Sequence, residues 1–115
     1  MSSVHEAKRQ EYTNRLAQRR EKWGMRVAGA SVLGALIQTA GSANAMLNGL
    51  RDPKFKDEMS ILKGHIVSND ASGMDNSSAA MGEILYINGF PGLGVVAIQT
   101  LIKRAAYAAS DRVGQ

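Results

Sequence analysis

The sequence has no cysteine, which excludes disulfides, thiolate metal sites and cysteine nucleophiles while leaving the redox compartment open. Aromatic residues are few: one tryptophan, three tyrosines and two phenylalanines in 115 residues. Gly and Ala are plentiful and add little apolar area each, so a core built from this set is thin. Oligomerisation or a borrowed partner surface is therefore expected. Charge is missing altogether from two long stretches, Val27–Leu50 and Ile84–Ile102. Strand-like alternation, internal repeats and low-complexity tracts are missing as well.

The charge that is present comes in blocks of alternating sign. Residues 1–26 hold seven bases against three acids, residues 51–83 four against six, and residues 103–115 three against one. Two uncharged spans with basic outer flanks and an acidic connector form the pattern of a helical hairpin able to cross a bilayer. Their composition weakens a crossing by either span alone and suits burial in a packed helical assembly slightly better than a membrane. Gln38, Thr39, Ser42, Asn44 and Asn48 make the first span polar, and Gly89 and Pro91 interrupt the second. Val27–Ile37 and the small residues Ala43-Asn44-Ala45 resemble a signal peptide and its cleavage site, but a leader of 26 residues with three acids does not suit one.

The elements read as helices throughout. Ser2 or Ser3, with Glu6 behind, is a candidate cap for a solvated helix over 3–23, in which Glu11 and Arg15 form an i,i+4 pair. Gly24 is a soft spot. The spacing of Met25, Val32, Leu36, Ala43, Leu47 and Leu50 predicts one long helix over 25–50. Ala30 and Gly34, then Gly41, Ala45 and Gly49, form a small-residue ridge on its other face, suited to close helix packing. Asp52-Pro53 supplies a cap and first-turn proline for a short helix over 53–67, with Phe55, Met59, Leu62 and Ile66 on one face. Residues 68–78 read as a polar loop and 79–87 as a short third element. Pro91 is expected to reopen a helix reaching about Ser110, with Gly89, Pro91, Gly92 and Gly94 as a hinge.

No catalytic motif stands out. Gly89–Gly94 lacks the Lys-Ser or Lys-Thr of a phosphate loop, and no Gly-x-Gly-x-x-Gly is present. His5 and His65 are separated and lack metal-ligand spacing. Asp70, Asp75 and Asn76 lack the distal Glu of a calcium loop. No serine has a nucleophile-elbow context. The expectation is a protein that is not an enzyme, with no cofactor and no metal. The basic leader is the chemically richest segment. Lys8, Arg9, Arg15 and Arg19 are candidates for phosphate or lipid-headgroup contact, as are Arg20, Lys22 and Arg26. Tyr12 and Trp23 add rings able to stack on bases, and Trp23 stands where an interfacial anchor would.

A polar basic helix, a Gly/Ala/Ser-rich helix (VAGASVLGALIQTAGSANAMLNGL) and a Gly-broken apolar stretch (GFPGLGVVAIQTLI) together resemble the small ejection, or internal virion, proteins of short-tailed bacteriophages. The resemblance implies packing in the particle as helical oligomers, then entry into the host envelope to line a conduit for DNA. It assigns no role to any single residue. The sequence thus predicts one all-α unit over 1–115: an elongated helical hairpin with a short amphipathic helix and polar loop between its arms. Its segments are 1–26, 27–50, 51–83 and 84–110. The expected function is structural, as a homo-oligomeric subunit of a virion, ejection or envelope-channel assembly with other subunits as partners. One alternative is a two-pass inner-membrane subunit with cytoplasmic termini. The other is a nucleic-acid-binding accessory protein that contacts DNA through the leader.

Overall fold

The computed structural model describes residues 2–114, and for Ser2 the backbone only. It is all-α, with no strand among the described residues, and elongated, measuring 64 × 25 × 21 Å. Helix α1 runs unbroken from Ser2 to Ala40, which at 1.5 Å per residue is about 58 Å of rod. Gly24 does not interrupt it. It is buried, and a Cβ there would lie 3.0 Å from Val113 Cγ1 and 3.3 Å from Val67 Cγ2. The glycine marks a close approach between helices rather than a break. Ser3 lies inside the helix and is not its cap. The Ser2 side chain falls outside the described residues.

The long helix expected over 25–50 ends instead at Ala40. Gly41 takes a left-handed φ of 88°, and its N–H closes on the Ile37 carbonyl at 2.9 Å, as a glycine beyond a helix C-terminus does. A 3-10 turn (Asn44–Met46) and the short helix α2 (Leu47–Arg51) follow. Asp52 then caps α3 (Pro53–Val67): one carboxylate oxygen accepts from the Lys54 N–H at 2.9 Å, and Pro53 opens the first turn. Phe55, Met59, Leu62 and Ile66 are buried, as their spacing predicts.

The polar loop expected over 68–78 is replaced by a tight connection and the first half of a helix. Asn69 adopts φ 55°, its N–H reaches the Ile66 carbonyl, and the Asp70 N–H reaches the His65 carbonyl at 2.9 Å. These two bonds close α3. Asp70 at once caps α4 (Ala71–Ile87), accepting from the Gly73 N–H at 3.0 Å. The same closing pattern recurs after α4, where Gly89 takes φ 85°, the Phe90 N–H bonds the Leu85 carbonyl, and the Phe90 side chain is buried. Gly92, at φ 80°, prolongs the turn. Helix α5 therefore begins at Val95 rather than Pro91, and it continues to Val113.

Contacts pair α4 with α5, α3 with α4, and the second half of α1 with both α3 and α5. Asp75 meets Tyr107 while Ala79 meets Gln99, and Asp52 meets Asn88 while His65 meets Gly73, so consecutive helices run antiparallel. The result is an up-down-up-down four-helix bundle from which the first half of α1 projects. Its core holds Val32 and Leu36 of α1, Leu62 and Ile66 of α3, Met74, Met81 and Leu85 of α4, and Ile98 and Ile102 of α5. Burying each such side chain stabilises the fold by about 1.5–3 kcal/mol.

Candidate functional site

Both uncharged spans bend, and they bend at the same end of the bundle. The first covers the second half of α1, the 3-10 turn and α2; the second covers the end of α4, the turn and the start of α5. Leu85 packs over Gly49, and Asn88 Nδ2 donates to the Asp52 carboxylate at 3.0 Å, joining the two corners. That hydrogen bond, with the one from the Lys54 N–H, holds the Asp52 carboxyl below its ordinary range. Tyr86, Ile87 and Val96 are exposed at this end. No helix among the described residues is long and apolar enough to cross a membrane.

The small-residue ridge expected on one helix is divided among several elements. Gly41 and Ala45 lie in the exposed link after α1, while Ala30 and Gly34 lie on the outer face of α1, with nothing near a Cβ at Gly34. Only Gly49 is buried. Close packing through small residues occurs instead on α4, whose buried face includes Gly73, Ser77, Ser78 and Gly82. A Cβ on Gly82 would stand 3.0 Å from the Gln99 backbone nitrogen and 3.1 Å from its Cα. Hydropathy hides this face, but small residues at 73, 77–78 and 82 recur with helical spacing. The hinge residues Gly89, Pro91, Gly92 and Gly94 form the α4–α5 connection and do not bend a single helix.

At the opposite end stands the arm. Residues 3–23 are exposed except half-buried Leu16, and Tyr12, Trp23 and Val4 rank among the most exposed large apolar side chains. Lys8, Arg9, Arg19, Arg20 and Lys22 all lie on it, and Arg26 is exposed just beyond. Arg15 bonds Glu11 at 2.6 Å, the i,i+4 pair expected from sequence.

The remaining polar chemistry ties helices together. Tyr107 donates to Asp75 at 2.8 Å, and Lys103 Nζ lies 3.3 Å from the same oxygen. The Tyr107 bond holds Asp75 below the usual carboxylate range and, with burial, raises the Tyr107 hydroxyl. His65 Nδ1 lies 3.3 Å from Asp70 Oδ2. Among the described residues no three His, Cys, Asp or Glu side chains gather as a metal site. An open apolar groove of about 370 Å³ runs between α1 and α3, lined by Leu33, Ile37, Phe55 and Met59 with Lys56 and Lys63 at its rim. No protein-family model, curated protein or solved structure matches the chain.

Proposed function

We propose that this chain is a non-enzymatic structural subunit of a helical oligomeric assembly, of the kind found in virion, ejection or envelope-channel complexes. The observation that carries this reading is the arm: about twenty residues of helix that bury almost nothing against their own chain. A helix of that length is marginal in water by itself, because nucleation and ordering offset most of the gain from its hydrogen bonds. Its rooted half supplies a template, and neighbouring subunits supply the missing burial. The end of the bundle with exposed Tyr86, Ile87 and Val96 and the groove between α1 and α3 offer further apolar surface for the same purpose.

Sedimentation velocity on the full chain tests the proposal, combined with hydrogen exchange at the same concentrations. The expected result is a species several times the 12.3 kDa monomer, with arm amides protected only in the larger species. A monomer at every concentration, with arm amides exchanging freely, overturns it.

A further inference from the structure

We infer that the arm docks on duplex nucleic acid, lying along the major groove with its bases on the two phosphate backbones. Because α1 is one helix through Gly24, the faces of the arm are fixed relative to the bundle. Each residue advances about 100° around the axis. Ala28, Val32 and Leu36 face the core, and Glu21, Gln18 and Asn14 continue that same side along the arm at steps of three and four residues. Tyr12, Leu16 and Trp23 lie on the opposite side, in line with exposed Ala30 and Gly34. The functional face of the arm therefore points away from the bundle, which leaves room for a large partner.

The bases divide on that outward side. Lys8, Arg15, Arg19 and Lys22 form one flank; Arg9 and Arg20 form the other, roughly 120° away around the axis. Tyr12 and Trp23 fall midway between the flanks. Glu21 lies on the far side, Glu6 borders the Arg9/Arg20 flank from behind, and Glu11 is engaged with Arg15. Six bases against three acids make the segment a cationic rod, and no acid lies between the two flanks on the side of the rings. A B-form major groove is about 12 Å wide and admits one helix between two rows of phosphates. An arm of about 30 Å is straight while the groove winds around the duplex, so it can lie in the groove over about half a turn. The two basic flanks match the two phosphate rows, and the rings face the groove floor.

An anionic bilayer is the competing polyanion. A helix that lies in a lipid surface needs a continuous apolar face. Here Tyr12, Leu16 and Trp23 alone make up that face, and about two turns separate Leu16 from Trp23 with only Arg19 and Arg20 bordering the gap, so the apolar surface is too sparse to insert. Duplex binding by the arm needs no oligomer, so failure of the assembly proposal leaves it standing, and the converse holds too.

Fluorescence anisotropy of the full chain with labelled random-sequence duplex DNA, at rising salt, tests this. Trp23 is the only tryptophan, so its emission reports the arm directly. The expected results are saturable binding, a change in Trp23 emission, and a slope of log affinity against log salt of about −4, from four or five neutralised phosphates. The double substitution Arg19→Glu/Arg20→Glu should weaken binding at least tenfold. Lys54→Glu/Lys56→Glu, the same charge change on α3 at the other end of the bundle, should leave affinity within about twofold. Four outcomes overturn the inference: no binding at low salt; equal loss in both double variants; tighter binding of single strands than of duplex; or binding of phosphatidylserine vesicles without binding of duplex.

Discussion

The Tyr107 hydroxyl donates a 2.8 Å hydrogen bond to the Asp75 carboxylate and so joins the middle of α5 to the first turns of α4. The bond favours charged Asp75 and neutral Tyr107, lowering the pKa of the first and raising that of the second. Asp75 therefore contributes stability that is present above the unfolded carboxylate value of about 4 and is lost as pH falls through its lower folded value. Tyr107 contributes stability that is present below about 10 and is lost as pH rises through its higher folded value. In Tyr107→Phe both dependences should shrink. Urea titrations at several pH values should show the gap between wild type and variant widest near neutrality and narrowing toward both extremes. A gap independent of pH would remove the bond as its cause.

Two buried serines should respond oppositely to the same substitution. Ser110 Oγ lies 3.1 Å from the Ile66 carbonyl and 2.9 Å from Asn69 Oδ1, pinning α5 to the α3–α4 turn. Ser110→Ala should cost about 1 kcal/mol. Ser78 Oγ is buried and has no hydrogen-bond partner among the described residues. Ser78→Ala removes a desolvated hydroxyl rather than a bond, so it should leave the urea midpoint unchanged or raise it.

Glycines also divide by surroundings. Gly82→Ala forces a methyl against the Gln99 backbone, which cannot yield as a side-chain end can, and should destabilise by about 1–3 kcal/mol. Gly34→Ala enters open space on an exposed helical face and should stabilise by about 0.5–1 kcal/mol. Chemical denaturation of the two variants side by side gives the signs directly. Gly41 has φ 88°, where any side chain strains the end of α1, so Gly41→Leu should destabilise the fold itself.

Leucines of α1 should separate the rooted half from the arm. Leu36 is fully buried, and Leu36→Ala should cost about 2–5 kcal/mol. Leu16 is half-buried on the arm, and Leu16→Ala should change stability by no more than about 0.5 kcal/mol. A comparable loss at both positions in a thermal melt would mean that the arm is folded into the cooperative unit.

Legibility in the sequence followed the strength of local signals. Helix α3 was readable because Asp52-Pro53 marks its start and four large apolar residues mark its buried face. The first half of α4 was not, because it buries Gly73, Ser77 and Ser78, residues that read as turn formers unless a neighbour comes close enough to need them small. Gly24 and Gly41 look alike in sequence. Val113 and Val67, one of them nearly ninety residues away, make the first a packing glycine, while the second ends the helix. The bases of the arm could be counted from sequence. Their division into two outward flanks required knowing that α1 does not bend between arm and bundle.

The pairing of α1 with α5 also sets an order of events during synthesis. Helices α3, α4 and α5 each meet a neighbour in sequence through a short connection, so they can associate early. Ala28, Val32 and Leu36, by contrast, wait for a partner surface that includes α5, which follows the other described helices in chain order. Until α5 clears the ribosome, one side of α1 remains apolar and incompletely covered. The nascent chain is then most exposed to chaperone capture and to wrong association.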